Sequence, residues 1–428
     1  MTVGILAFVL LITFMLINVP IAIAIGAATL LSLALATDVP LNILAQRMYA
    51  AVDSFPLMAI PYFIVAGNFM ERGGISRQLV ELAELLVGRL AGGLGQISVV
   101  TSAFFAAISG SGPATTAAIG SIMIPAMEKN NYDRAFATAL QATAGALGPL
   151  IPPSILFVTY GVATGTSISD LFLAGVLPGI LTALSLMVVV YIVSKKNGYV
   201  GTSVQVTRSL LWERTKKASW ALFMPVLILG GIYGGVFTPT EAAVVSAGYG
   251  LIVGMFVYRE LKLRDLPGIL LKSAITSAMV MYVIATASAL SWILSNAEIP
   301  SMLAKFVMQR NLSAGVLFLL LNILLLFTGC FIELNATIAI LAPLLLPIFT
   351  NLGVDPIHLG AVMVTNLCLG LVTPPFGVNL YVACGVAKMK IEEVSRWLIP
   401  LLGAALVPLL LVTYIPQLSL LLVRLVGR

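Results

Sequence analysis

Charge is what this sequence lacks most. Only 9% of its 428 residues are charged, while 60% are hydrophobic and the mean hydropathy is +1.08. A soluble globular chain carries about 25% charged residues. That excludes a cytosolic enzyme, a disordered protein and a secreted disulfide scaffold. Histidine is nearly absent: His358 stands alone, leaving little scope for acid–base chemistry, and it reads as a structural residue. The chain has no H-E-x-x-H, no G-x-S-x-G and no Walker A lysine loop, so the common signatures of catalysis are missing. Cysteine is scarce too. Cys330, Cys368 and Cys384 lie in apolar segments without C-x-x-C spacing and read as small packing residues rather than a redox or metal site.

What is present is apolar length. Runs of roughly 20 apolar residues recur, each long enough to cross a ~30 Å hydrocarbon core, which predicts an all-α polytopic protein in a lipid bilayer. The net charge of +6 calls for no nucleic acid, because basic residues collect in the cytoplasmic loops of such proteins. The first apolar stretch, from Val3, has no basic leader and no small-residue cleavage site, and reads as a membrane segment rather than a signal peptide.

Helices are expected over Val3–Leu16 and Pro20–Ala36, then from about Leu57 to Met70. From Arg77 to Leu90 the residues Arg77, Glu81, Glu84 and Gly88 share one face, and Leu79, Leu82, Leu86 and Leu90 another. That suits either a helix lying along the membrane interface or an ordinary amphipathic loop helix. Gln96–Met127 is interrupted at Ser109-Gly110-Ser111-Gly112-Pro113, leaving arms that look too short to span, so a re-entrant hairpin is predicted. Arg134–Gly165 carries Gly148-Pro149-Leu150-Ile151-Pro152-Pro153; adjacent prolines remove backbone donors and make this helix discontinuous. After a span at Ser169–Val193, a basic stretch, Ser194–Ala218, reads as a linker. Spans then follow near Ser219–Gly235, Glu241–Tyr258 and Gly268–Leu294. An amphipathic piece at Pro300–Asn311, an interrupted stretch at Gly315–Phe349, a Pro-broken span at Ile357–Ala387 and a last span within Trp397–Val423 complete the chain. Thr240 is expected to cap a helix beginning at Glu241, and Asp133 and Asp355 to cap two others.

The second half repeats the first at an offset of 222. Ala114, Thr115, Ala117, Pro125, Asp133, Ala139, Thr143, Leu147, Gly148, Pro152 and Pro153 recur as Ala336, Thr337, Ala339, Pro347, Asp355, Ala361, Thr365, Leu369, Gly370, Pro374 and Pro375, 11 identities in 40 ungapped positions. Apolar composition alone would give roughly four and would not align the double prolines. The predicted organisation is a first repeat over 1–193, a basic cytoplasmic linker over 194–218 and a second repeat over 219–428. With five crossings and one re-entrant hairpin per half and both termini outside, 18 of the 23 basic residues fall on the cytoplasmic side, as the positive-inside rule expects. Five crossings make the repeats antiparallel. Inverted repeats with broken helices meeting at mid-membrane are the plan of a secondary transporter.

Irregular backbone at membrane depth survives only where protein or a watery cavity satisfies it. The first half offers Ser109, Gly110, Ser111, Gly112 and Thr115 facing Gly145, Gly148 and Pro149. The second offers Glu333, Asn335 and Thr337 facing Gly370 and Thr373. Carbonyls and hydroxyls with few charges suit a hard monovalent cation such as Na⁺, and helix N-termini suit an anionic substrate group. The same small residues also permit close helix packing; two copies related by the repeat favour the functional reading. Asn379 sits just past the second double proline and is placed to contact either ligand. Glu333 reads as functional from its place in a hairpin tip.

Several stretches together resemble one family. They are Ser54-Phe55-Pro56-Leu57-Met58-Ala59-Ile60-Pro61, Gly67, Gly73-Gly74, Ser109-Gly110-Ser111-Gly112, Phe237-Thr238-Pro239-Thr240-Glu241-Ala242-Ala243 and Thr373-Pro374-Pro375. In combination they look like the large membrane subunit of TRAP (tripartite ATP-independent periplasmic) transporters. The resemblance implies Na⁺-coupled import of an anionic carboxylate, sialic acid first and C4-dicarboxylates second, across a bacterial inner membrane. It also implies a small four-helix membrane subunit and a periplasmic substrate-binding protein as partners, and a fold like the elevator-type ion transporters. One Na⁺ would sit at the first hairpin and broken helix and a second at their repeat mates. Substrate would lie between the tips, near Ser111, Gly112, Pro152, Asn335, Thr373 and Asn379. The rival readings are a self-sufficient Na⁺/dicarboxylate carrier, an intramembrane enzyme and a purely structural subunit.

Overall fold

The structure, a computed structural model, describes residues 2–202, 207–310 and 312–426. Among the described residues it is helical, with no strand. The first half contains α1 (Thr2–Leu16), α2 (Ile21–Ala36), α3 (Asn42–Val52), α4 (Ala59–Arg72), α5 (Ile75–Val87), α6 (Gly93–Ser109), α7 (Gly112–Lys129), α8 (Arg134–Gly145), α9 (Ile155–Thr164) and α10 (Ile168–Asn197). The second contains α11 (Arg208–Tyr233), α12 (Pro239–Ile252), α13 (Leu266–Asn296), α14 (Ile299–Gln309), α15 (Ala314–Phe331), α16 (Leu334–Asn351), α17 (Pro356–Gly370), α18 (Val378–Ala387), α19 (Ile391–Tyr414) and α20 (Gln417–Leu425). α10 and α11 reach into the basic stretch between the halves; residues 203–206 of that stretch, and Asn311 after α14, lie outside the described residues.

The element bounds follow the sequence offset. Shifting α7 by 222 gives 334–351, the bounds of α16, and shifting α6 places its last residue on that of α15. The matching ends have matching causes. Asp133 accepts from the backbone N–H groups of Ala135 and Phe136 to start α8, and Asp355 accepts from that of Ile357 to start α17. Both are the expected acidic caps. The Pro152–Pro153 and Pro374–Pro375 peptide bonds are both cis.

Among the described residues six helices are long and apolar enough to cross a membrane, or seven if α3 and residues 55–72, bent by 63°, count as one span. α15 and α16 are among the six. The arms at the two tips run to 17 or 18 residues, about 27 Å each. They are longer than the sequence reading expected, because α6 begins at Gly93 instead of Gln96 and α7 runs to Lys129 instead of Met127. Length alone therefore does not make these hairpins re-entrant.

Three local expectations change. α3 was not anticipated: none of its residues is buried, and its inward side, which packs on α13, is only partly covered. Thr238, not Thr240, caps α12, forming a reciprocal capping box with Glu241, while Thr240 donates to the Phe55 carbonyl. On α5 the buried face is Ile75, Leu79, Leu82, Ala83 and Leu85, while Leu86 and Leu90 are exposed. This helix packs on α6 and α11, and Arg214 of α11 pairs with its Glu81.

One large core joins both halves. α1 and α2 lie at its side against α13 and α16. α4 packs on α12, and α10 on α19 and α20. Within this frame the broken helices cross over. α9, which follows the first break, packs against α16 of the second half; α18, which follows the second break, packs against α7 and α8 of the first.

Candidate functional site

The first tip is built by short polar side chains folding back on the backbone. Ser109 closes α6, and Gly110 follows with φ of +60°, a conformation L side chains adopt at a cost. Ser111 then caps α7, its hydroxyl accepting from the Ala114 N–H. The Ser109 hydroxyl lies 2.9 Å from that of Thr115, and Thr115 donates to the Ser111 carbonyl at 2.8 Å. Ser109, Gly110, Gly112 and Thr115 are buried; Ser111 is half-buried.

This tip rests directly on the first break. A methyl group added to Gly148 would collide with the Ser111 carbonyl, and one on Gly110 would come 2.7 Å from the Pro153 carbonyl. Ser154 caps α9 and donates to the Pro149 carbonyl across the break. Leu150, Pro152, Pro153 and Ser154 are all buried. Gly145 ends α8 with no room for a side chain, since the Thr116 hydroxyl occupies that space.

The second tip uses a carboxylate instead of a hydroxyl. Glu333 caps α16 by accepting from the Ala336 N–H at 2.9 Å, and also accepts from the Asn335 amide at 2.7 Å. Thr337 donates to the Glu333 carbonyl at 3.2 Å. Gly370 approaches Gly329 of α15 so closely that an added methyl would stand 2.8 Å from its backbone. Thr373 is half-buried and donates to the Leu369 carbonyl, and the following Pro374, Pro375 and Phe376 are exposed.

The sequence-predicted residues thus gather into two clusters, Ser109, Gly110, Ser111, Gly112, Thr115, Gly145, Gly148 and Pro152 in one, and Glu333, Asn335, Thr337, Gly370 and Thr373 in the other. Asn379 does not join its own half. It is wholly buried on α18, and its amide nitrogen donates to the Ala142 carbonyl of α8 at 3.3 Å. The reciprocal contact comes from a residue that sequence reasoning missed. Thr159 of α9 donates to the Asn335 side-chain oxygen at 2.8 Å. A lone threonine in an apolar helix gives no sequence signal of such a partner. Also missed were Gln141, held by Ser98 and Ser102 of α6, and Asn366, which donates to Asn322. Gln141 is held at both ends of its amide in this way, whereas the Oδ1 atoms of Asn366 and Asn379 are buried without a hydrogen-bond partner.

His358 is buried, its Nδ1 paired with the Ser419 hydroxyl at 2.8 Å and its Nε2 without a partner. The three cysteines are free and buried. No group of three or more His, Cys, Asp or Glu side chains able to hold a metal occurs among the described residues.

Residues 8–418 match the family model described as "Tripartite ATP-independent periplasmic transporter, DctM component". The chain is 41% identical to the C4-dicarboxylate TRAP transporter large permease protein of Rhodobacter capsulatus, over 99% of each chain. It is 38% identical to the sialic acid TRAP transporter large permease protein of Vibrio cholerae, over 95% of each. Identity to the isethionate TRAP transporter permease protein of Oleidesulfovibrio alaskensis is 47% over 94% of this chain, which spans only 64% of that longer protein. In fold it resembles the crystal structure of the YdaH transporter of Alcanivorax borkumensis, with a TM-score of 0.60 at 15% identity, covering 95% of this chain and 98% of that one. The chain therefore belongs to the DctM component family of tripartite ATP-independent periplasmic transporters, a family of multi-pass membrane permeases and not of enzymes.

Proposed function

We propose that this chain is the transport subunit of a binding-protein-dependent system that imports a small organic anion with Na⁺ across a bacterial inner membrane. The observation that carries the reading is the pair of helix breaks, each seated on a hairpin tip and repeated at the same offset. Its two halves are inverted repeats in this reading, with both termini periplasmic and the basic loops cytoplasmic. The hairpins and broken helices form a body that slides against the scaffold of α1–α4 and α11–α13 as an elevator.

Sodium is cargo here, and the donors fit it. In the first half these are the hydroxyls of Ser109 and Thr115 with the backbone of Gly110, Ser111, Gly145 and Gly148. In the second they are Glu333, Asn335, Thr337, Gly370 and Thr373. α6 and α8 direct their C-terminal ends at the first cluster, the end of a helix that favours a cation. The substrate anion lies between the tips. Ser111 and Thr373, half-buried, are the members of that set with access to it, whereas Gly112, Pro152, Asn335 and Asn379 are buried and shape the site from behind.

The expected partners are a small four-helix membrane subunit and a periplasmic binding protein. The relatives' names support three anions: sialic acid, C4-dicarboxylate and isethionate. The test is uptake into proteoliposomes holding this chain and its small subunit, with each labelled anion in turn. Uptake requiring both an inward Na⁺ gradient and the binding protein is the expected result. Na⁺-driven uptake without the binding protein would make the chain a self-sufficient carrier, and uptake indifferent to Na⁺ would overturn the coupling.

A further inference from the structure

Asn379 carries an unused oxygen. The residue is wholly buried, and while its amide nitrogen donates to the Ala142 carbonyl, its Oδ1 has no hydrogen-bond partner. Leaving a buried amide oxygen unsatisfied is costly, and unlike the unpartnered Asn366 oxygen this one lies beside the first tip. The amide lies at a defined place. A methyl group added to Gly112, the first residue of α7, would stand 2.9 Å from Oδ1 and 3.1 Å from Nδ2, and one on Gly145 would stand 3.2 Å from Nδ2 and collide with the Thr116 hydroxyl. The side chain is therefore wedged between the first tip and the last turn of α8, whose carbonyl end favours a cation.

The repeat offers a control. The position 222 residues earlier is Phe157, wholly buried and apolar. The crossing contact in that direction is made instead by Thr159, whose hydroxyl satisfies the Asn335 oxygen. One crossing amide oxygen is thus occupied by a protein donor and the other is left open. A purely structural role for Asn379 needs only its nitrogen.

We infer that Asn379 Oδ1 supplies a ligand oxygen to the first-half Na⁺ site, so that a helix of the second half completes it. The inference rests on the reading of Na⁺ at the first tip given above. Asn379 follows Thr373, Pro374, Pro375 and Phe376 by a few residues, so an ion held there also anchors the helix leading out of the second break. Occupancy of one half then fixes backbone in the other.

The test is the unfolding midpoint of the full-length chain in nanodiscs, titrated with NaCl against choline chloride at constant ionic strength. Wild type, Asn379→Ala and Asn379→Asp are compared. Wild type is expected to be stabilised by Na⁺. Asn379→Ala should need about tenfold more Na⁺ for half the effect, the loss of one modest ligand interaction. Asn379→Asp keeps the oxygen and loses the donor to Ala142, so its half-effect concentration should be at or below that of wild type. If Asn379→Ala titrates like wild type, this inference falls and the first-half Na⁺ site stands. If Asn379→Asp is as impaired as Asn379→Ala, the hydrogen bond to Ala142 was the role, and the inference again falls. Absence of any Na⁺ effect in wild type would remove the first-half site itself, and the inference with it. Should Asn379→Ala not fold, wild type against Asn379→Asp decides alone: equal or tighter Na⁺ dependence supports the ligand, weaker dependence overturns it.

Discussion

The two halves share a backbone plan and differ in how tightly they close. In the first, Leu150, Pro152, Pro153 and Ser154 of the break are buried, Ile151 is half-buried, and hydroxyls and carbonyls at the tip satisfy one another. In the second, Pro374, Pro375 and Phe376 are exposed, as is Phe331 at the tip, where its ring meets that of Phe376 at 5.7 Å. One sequence pattern has produced a sealed copy and an open one. The difference lies in the side chains. Ser154 ties the first break across itself, whereas α18 begins after Gly377, which provides no side-chain cap.

The largest effect expected from this contrast comes from filling the two matched glycines. Gly148→Ala drives a methyl into the Ser111 carbonyl, and Gly370→Ala drives one against Gly329. Overpacking costs about 1–3 kcal/mol. The sealed half has no exposed segment to give way, so Gly148→Ala should lower the unfolding temperature more than Gly370→Ala and abolish reconstituted uptake. Equal losses would break the comparison. A middle-sized effect is expected at the crossing contact. Thr159→Val leaves the buried Asn335 oxygen unpaired, a loss of about 1–3 kcal/mol in chemical denaturation. A variant as stable as wild type would show that this hydrogen bond does not hold α9 to the second tip.

How much of this was legible beforehand varies with the kind of residue. The double prolines, the Ser-Gly-Ser-Gly turn and the acidic caps at Asp133 and Asp355 act on their own backbone, so their positions and the 222-residue offset could be read directly. The crossing contacts could not. Asn379 was readable as a polar residue after a break, but which half it faces depends on α18 packing against α7 and α8, a long-range fact with no local signature. Thr159 was silent for the same reason. The arms of the first hairpin were expected within Gln96–Met127, whereas α6 starts three residues earlier, at Gly93, and α7 runs two residues further, to Lys129, because helical turns continue into the polar and glycine-rich ends where apolar character fades.

The smallest effect belongs to Asp133, on the rim outside the spans. Burial raises its pKa, but donation from the Trp397 indole, the Arg396 guanidinium and the N–H groups of Ala135 and Phe136 outweighs that and holds the carboxyl below its ordinary value. A lowered folded pKa stabilises above the unfolded value of about 3.9 and loses that benefit as pH falls through the folded one. Asp133→Asn should cost no more than about 1 kcal/mol at neutral pH, since Arg396 is largely exposed and its attraction is screened by solvent. The gap from wild type should narrow as pH falls below the unfolded value of about 3.9 in a thermal-shift series. A gap unchanged at acid pH would place the effect in the cap geometry instead of the charge.

The central claim, that the two halves are inverted in the membrane, has a direct test in Lys129 and Asn351. These are the last residues of α7 and α16, matched at the 222 offset and both exposed. Lys129→Cys and Asn351→Cys would each be challenged with a membrane-impermeant maleimide in right-side-out and inside-out vesicles. The account expects Lys129→Cys to react only from the cytoplasmic side and Asn351→Cys only from the periplasmic side. Labelling of both from the same side would contradict it.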